Sequence, residues 1–233
     1  MMLKTNTLYT AIGRFEQRYN SFGYPCPVIL LSGKEYMADI QEMMVWTILN
    51  WRIVRKEEIG RLYEEMLKKS DAIINRPLEA CIERLLVRGL LISGSGDTEY
   101  DALYDLISSL YIIPTESSFF LRLAAFLKLT LFSHVPLPAA GKLFHRDSRT
   151  KQEKEVMHLA RQALLSTAEI IKCTEKGIHS LPDENSIIDR LYDDLDTTSD
   201  NIASLMKSSP ATKDITLAVA NLYLRQQIIF ERI

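Results

Sequence analysis

Two neighbouring segments in the first half of the chain carry apolar residues at helical spacing, and they constrain the fold more than any other feature. Residues 59–67 place Ile, Leu, Tyr, Met and Leu at positions i, i+3, i+4, i+7 and i+8, with charged residues between them. Residues 78–86 repeat this spacing after Pro77, which suits a first helical position, and Gly89 then ends the pattern. Each pattern predicts an amphipathic helix that buries one face.

Short segments before this helix pair predict a further helix and a hairpin. Apolar residues from Ile40 to Trp51 recur at helical spacing, and the helix has a capping box either at Ser32–Glu35 or at Asp39–Glu42. With the later start, Pro27–Leu31 can pair with residues 36–38 as a hairpin.

The segment after Gly89 predicts two short strands joined by a turn. Leu90–Ile92 is apolar enough for a buried strand, Ser93–Asp97 has the composition of a turn, and Thr98–Tyr100 can return as a second strand. The resulting order is helix, helix, helix, strand, glycine turn, strand.

This order resembles a winged helix-turn-helix domain over about Glu35 to Leu103. The resemblance is carried by Arg55–Ile59, as the opening of the second helix, and by Leu85–Leu91, as the end of a third helix that runs into a wing. In members of that family that bind DNA, the third helix enters the major groove. The resemblance therefore implies a transcriptional regulator that binds double-stranded DNA.

The residues expected to contact DNA lie on the second and third helices and on the segment between them. Arg76 and Arg84 are suited to guanine edges or phosphate, and Asn75 to adenine or phosphate. The wing is acidic, which opposes phosphate binding. The full set of candidate contacts is Arg55, Lys56, Arg61, Asn75, Arg76, Glu79, Arg84 and Arg88, and the acidic wing residues are Asp97, Glu99 and Asp101.

A second interpretation uses the N-terminal hairpin. A hairpin followed by three helices also resembles the peptide-recognition domains of the pyrroloquinoline-quinone D type, which act in the modification of ribosomal peptides. The resemblance implies that a peptide adds a strand to the hairpin edge and packs against the third helix, with no need for DNA. The expected free edge consists of Val28, Ile29, Leu30 and Leu31.

The second half of the chain has helical patterns throughout. Pro114 is the main predicted boundary, between a winged-helix domain of residues 1–114 and a helical bundle of residues 115–233. Apolar series run through residues 156–164, 188–205 and 215–229, and the second series favours a bundle core or a dimer-forming helix. The expected fold class is therefore mainly α, and the bundle serves oligomerisation or effector binding. A homodimer through the C-terminal helices is expected.

The composition excludes several function classes. The chain has 28 Lys and Arg against 30 Asp and Glu, so the net charge of −2 gives no overall basic field for a polyanion. Its three cysteines are scattered, as in a reducing compartment, and Met1–Thr7 lacks an apolar signal core, so we expect a cytoplasmic protein. The apolar run Phe119–Val135 is interrupted by Arg122 and Lys128, which argues against a membrane span. No catalytic, metal or cofactor motif is evident, and we expect a binding protein rather than an enzyme.

Overall fold

The computed structural model describes residues 6–19, 21, 23, 25–70, 74–115, 149–194 and 196–232. The helices and strands in this part of the chain are, in order, β1 Asn6–Ala11, β2 Arg14–Tyr19, β3 Pro25–Leu31, β4 Lys34–Met37, α1 Ile40–Leu49, β5 Val54–Arg55, α2 Lys56–Leu67, α3 Leu78–Val87, β6 Leu91–Gly96, α4 Glu99–Ile107, β7 Tyr111–Pro114, α5 Lys151–Gln162, α6 Thr167–Glu175, α7 Glu184–Leu191, α8 Ile202–Met206, α9 Thr212–Leu224 and β8 Ile228–Glu231.

The fold is mixed α/β, so the expectation of a mainly α protein was wrong. The described strands form three antiparallel sheets, in the orders β5-β1-β6, β2-β3-β4 and β7-β8. Several of the unexpected strands, among them β1, β2 and β8, lie near the two ends of the chain. Strand β2 is almost wholly exposed and shows no alternation that a sequence could reveal. Ile229 fits a helical series, yet Gln226 adopts a φ of +59° after α9, and the chain continues as strand β8.

The helix pair forms as predicted, and the hairpin forms with a shorter turn than expected, because Lys34 and Glu35 belong to its second strand. Helices α2 and α3 bury the predicted apolar residues, and Gly89 follows α3 with a φ of +68°. Strands β3 and β4 pair across Ser32 and Gly33, both of which have positive φ, as a two-residue turn of type I′ requires. Helix α1 uses the later of the two candidate starts, with a complete capping box between Asp39 and Glu42.

The predicted wing is absent from the described structure, because its residues form a longer strand and then a helix. Strand β6 pairs with β1 along its whole length, from Leu91 opposite Ala11 to Gly96 opposite Asn6. Thr98 and Asp101 then form the capping box of α4 in place of a returning strand.

The two wing glycines serve close packing of α4 on β6. A Cβ added at Gly94 would overlap the main chain of α4 at Ala102 and Leu106. A Cβ at Gly96 would lie 2.6 Å from the main-chain nitrogen of Ala102. Because both clashes are with backbone atoms, these glycines allow a helix to lie directly on the strand.

The C-terminal helices share one hydrophobic core with the N-terminal half. Strand β7, which ends at Pro114, pairs with β8, so the predicted domain boundary falls within a strand pair. The buried Oη of Tyr223 lies 2.8 Å from Thr10 Oγ1, accepts the Trp51 N–H at 3.0 Å and donates to the Ala11 carbonyl at 2.9 Å. These bonds tie α9 to β1 and to the end of α1.

The predicted bundle helices form only in part. Helix α5 buries Val156, Leu159 and Ala160 as expected. The series from residue 188 to 205 is divided between α7 and α8, which are separated by residues 192–201. The apolar run Phe119–Val135 lies outside the described residues. Within the described part of the chain, no helix has both the length and the apolar character needed to cross a bilayer.

Candidate functional site

The arginines predicted to read DNA converge on one buried carboxylate. The Glu42 side chain is only 2% exposed, and it accepts a hydrogen bond from Arg84 Nε at 2.6 Å and one from Arg88 Nη1 at 2.8 Å. Arg76 Nη1 lies 3.3 Å from the same carboxylate, and Arg76 Nη2 lies 2.7 Å from Asp39. We refer to Asp39, Glu42, Arg76, Arg84 and Arg88 as the Glu42 cluster.

The local sequence explains how the Glu42 cluster assembles. Asp39 caps α1 and accepts the N–H of Glu42 at 3.0 Å, which holds Glu42 at the positive end of the helix. Arg84 lies in the last turn of α3 and Arg88 is its C-cap residue, four positions further on, so both guanidinium groups reach the same point. Several hydrogen bonds to the carboxylate compensate for its burial. This role of Glu42 was not predicted, because in the sequence only the candidate capping box marks the residue.

The charges of the Glu42 cluster do not cancel. Three guanidinium groups face two carboxylates, which leaves one net positive charge. The hydrogen bond to Glu42 raises the pKa of Arg84 above its usual value, so this side chain remains cationic. Arg84 is also the most exposed of the three arginines, with 57% of its side chain accessible. Its terminal amino groups make no hydrogen bond within the described residues and remain available to an anion.

Arg88 connects this cluster to the edge of a sheet. It donates a hydrogen bond to the carbonyl of Met37, and its guanidinium lies 5.9 Å from the centre of the Tyr36 ring. Both residues belong to β4, the last strand in the order β2-β3-β4. Arg88 therefore holds the C-terminal end of α3 beside an edge strand.

The pairing pattern of the hairpin determines which groups of β4 point outward. A two-residue turn makes the closing pair, Leu31 and Lys34, a doubly hydrogen-bonded pair. Alternation then turns the main-chain groups of Tyr36 towards β3 and those of Glu35 and Met37 away from it. The bond from Arg88 to the Met37 carbonyl agrees with this assignment.

Two residues that adjoin the contact between Arg88 and β4 in the sequence have exposed apolar side chains. Met37 is 68% exposed and Val87 is 83% exposed, and both are large apolar residues at the surface. We refer to β4 together with Arg84, Val87 and Arg88 as the β4–α3 face. It combines unpaired main-chain groups, apolar side chains and one cationic side chain.

The predicted peptide edge at Val28, Ile29, Leu30 and Leu31 was wrong. These residues lie in β3, which pairs with β2 on one side and with β4 on the other. The hairpin therefore forms, but the edge that the described strands leave unpaired belongs to β4. The N-terminal strand β2, which the sequence did not reveal, occupies the side that was expected to be open.

The other residues predicted to contact DNA are dispersed. Arg55 forms an ion pair with Glu99, and Arg61 lies 3.4 Å from Glu58 on the same helix. The N–H of Asn75 donates to Gln41 at 2.9 Å. Lys56 and Glu79 line an open cavity of about 340 Å³ between α2 and α3, together with Glu57, Gly60, Leu78 and Ile82.

Two acidic residues of the predicted wing, Glu99 and Asp101, lie in the first turn of α4. Glu99 pairs with Arg55, and Asp101 accepts hydrogen bonds from Thr98 in the capping box. The outward flank of α3 carries Glu79, Glu83 and Val87, all exposed. This flank is acidic and apolar, and neither property favours contact with phosphate.

The described residues show little else that resembles a reactive centre. No group of three or more His, Cys, Asp or Glu side chains among them could hold a metal ion. Burial raises the pKa of the Cys173 thiol to about 12, so it remains protonated at neutral pH. Lys172 is buried on α6 but is bound to Asp194 at 2.8 Å and to Thr197 at 2.7 Å, which is a structural arrangement.

Comparisons of this chain with protein-family models, with curated proteins and with solved structures find no match.

Proposed function

We propose that this protein recognises an extended segment of a peptide or protein partner at the β4–α3 face. The observation that carries the proposal is the edge of β4, which no described strand pairs and which Arg88 holds beside α3; Met37, whose carbonyl accepts from Arg88, and Val87, which precedes Arg88, both have exposed side chains. An edge strand beside a helix is a surface on which a partner segment can pair and pack at the same time.

Main-chain pairing supplies the first part of the binding. The N–H and C=O of Glu35 and the N–H of Met37 point away from β3 and are placed to pair with a partner strand. The Met37 carbonyl is bound to Arg88, so the added strand is short and ends at α3. Because the bonds involve only main-chain atoms, this part of the interaction is insensitive to the partner's sequence.

Side chains supply the selectivity. Met37 and Val87 offer apolar surface to alternate residues of the partner strand. The available donors of Arg84 favour a partner carboxylate, which would form a bidentate pair with the guanidinium. The partner segment that fits is therefore extended, with apolar residues and at least one acidic residue.

DNA binding remains a prediction that the geometry supports less well. Arg76 and Arg88 are engaged with Asp39, Glu42 and the Met37 carbonyl, and binding of these two side chains to phosphate would compete with those contacts. The outward flank of α3 adds Glu79 and Glu83, which repel phosphate. A partner strand that places one acidic residue at Arg84 needs no wider basic surface, so peptide recognition tolerates these two glutamates better than DNA binding does.

The test is a peptide-display selection on the immobilised full chain, repeated with two surface variants. Val87→Asp places a charge on the β4–α3 face, and Leu217→Asp makes the same kind of change at an exposed position of α9. We expect acidic, apolar peptides to be enriched on the wild type and on Leu217→Asp. Val87→Asp should bind these peptides at least tenfold more weakly, because a carboxylate there repels the partner and removes apolar contact.

Two results would contradict the proposal. One is equal binding of the enriched peptides to both variants, and the other is failure to enrich any peptide on the wild type. Gel shifts with genomic fragments at low salt test the DNA-binding alternative. They compare the wild type with a double variant in which Arg76 and Arg84 are both changed to Ala, and a shift that only the wild type gives would favour that alternative.

A further inference from the structure

Among the described strands, β2 is a second edge without a partner on its outer side, opposite β4 in the sheet. Five of its six residues are exposed, and it is the first strand in the order β2-β3-β4. Phe15 is 51% exposed and Tyr19 is 69% exposed, so two aromatic rings stand on the surface of an edge strand. An unpaired edge strand with exposed aromatic residues tends to pair with another strand.

The main-chain groups that β2 offers to a partner follow from the register of the sheet. The hairpin turn directs the main-chain N–H and C=O groups of Ile29 and Leu31 in β3 towards β4. The main-chain groups of Val28 and Leu30 therefore point towards β2. Their partners on β2 are Glu16 and Arg14, and alternation turns the N–H and C=O of Phe15, Gln17 and Tyr19 outward.

Two observations agree with this assignment. Pro27 lies opposite Gln17 and has no N–H with which to form a doubly bonded pair. Gly13, which continues the outward series by one step, donates its N–H to the Phe230 carbonyl rather than to β3.

The sequence of β2 is complementary to itself when read antiparallel about Gln17. In that register Phe15 faces Tyr19 of a second copy and Glu16 faces Arg18, and each pair occurs twice. Aromatic pairs and opposite charges are the cross-strand pairs that stabilise antiparallel strands. A two-fold axis at Glu16 would instead place Arg14 opposite Arg18, so like charges exclude that alternative.

We propose that two copies of this chain form a symmetric dimer by antiparallel pairing of β2 with β2, with the two-fold axis at Gln17. The outward groups fit this register, because Gln17 faces Gln17 and Phe15 faces Tyr19 as doubly hydrogen-bonded pairs. The two three-stranded sheets then join into one continuous sheet, and the aromatic rings of Phe15 and Tyr19 cover each other. This interface differs from the one expected from the sequence, which was a homodimer through the C-terminal helices.

The dimer leaves both β4 edges at the outer ends of the joined sheet. Each edge therefore remains accessible, and the assembly presents two copies of the β4–α3 face. The inference does not depend on the proposed function, because it rests on β2 alone. If both hold, the dimer binds a partner with two recognition segments more tightly than a partner with one.

Sedimentation equilibrium of the full chain tests this interface through its charge pairs. We expect the wild type to dimerise, and we expect Arg18→Glu to weaken the dimer at least tenfold, because it places four acidic side chains across the axis. The double variant Glu16→Arg with Arg18→Glu restores both opposite-charge pairs and should recover most of the affinity. Circular dichroism and thermal melting establish that each variant is folded.

A second variant pair isolates the main-chain contribution. Gln17→Pro removes an outward N–H at the axis and should also weaken the dimer at least tenfold, whereas Gln17→Ala retains the N–H and should dimerise like the wild type. The proposal is overturned if the wild type is monomeric at all accessible concentrations. It is also overturned if Arg18→Glu dimerises normally while Ile188→Asp, on the exposed surface of α7, dissociates the dimer.

Discussion

Gly94→Ala is expected to lower the free energy of unfolding by about 3 kcal/mol or more, a large effect for the addition of one methyl group. The added Cβ would overlap the main chain of α4 at Ala102 and Leu106. Backbone atoms cannot rotate away as a flexible side chain can, so α4 must move off β6. Urea denaturation followed by circular dichroism measures the loss.

Gly60→Ala is the matched control for this substitution. Gly60 lies within α2, and an added Cβ there would meet no atom within 4 Å beyond its chain neighbours and the backbone of its own helix. Alanine favours the helix over glycine, so we expect a gain of up to about 1 kcal/mol. If Gly94→Ala were as stable as the wild type, the close packing of α4 on β6 would be wrong.

Glu42→Ala is the second substitution with a large expected effect, a loss of about 3–5 kcal/mol in the free energy of unfolding. Removing this carboxylate leaves Arg76, Arg84 and Arg88 close together with only Asp39 to balance them. It also removes half of the capping box of α1. The same denaturation experiment measures both contributions together.

Glu42→Gln separates the two contributions. Glutamine retains an oxygen that can accept the Asp39 N–H, so it preserves the capping box while removing the charge. We expect Glu42→Gln to show most of the loss seen with alanine, since the uncompensated arginines dominate. Glu35→Ala is the control, because it removes an exposed carboxylate from Arg18 and should cost at most about 1 kcal/mol. Equal stability of Glu42→Ala and Glu35→Ala would contradict the Glu42 cluster.

Local patterns predicted the parts of the fold that depend on local contacts. Helices α2 and α3 each bury one face, and the hairpin β3–β4 forms, although its turn has two residues where four were expected. Strand β1 could not be predicted in this way, because its partner β6 lies far away in the sequence. Gly94 and Gly96 fit either a turn or a close helix–strand contact. Which of the two holds depends on whether α4 packs against these glycines, and no local sequence pattern predicts that contact.

The candidate site was predicted in its residue types but not in its arrangement. Arg76, Arg84 and Arg88 are suited to bind an anion, and they do so within the molecule, at Glu42. The sequence could not show this, because Glu42 lies on α1 and meets the arginines only when α1 and α3 pack together. The free edge was assigned to β3 because the exposed, patternless strand β2 was not recognised.

The most direct measurement of the proposed recognition mode compares Glu35→Pro with Glu35→Ala in binding to an enriched peptide. Both variants lose the same side chain, but only proline also removes the outward N–H of β4. Fluorescence anisotropy of the labelled peptide gives Kd for each protein. We predict that Glu35→Ala binds within about threefold of the wild type, because this part of the binding uses main-chain atoms, and that Glu35→Pro binds at least tenfold more weakly. Equal affinities for the two variants would contradict strand addition at β4.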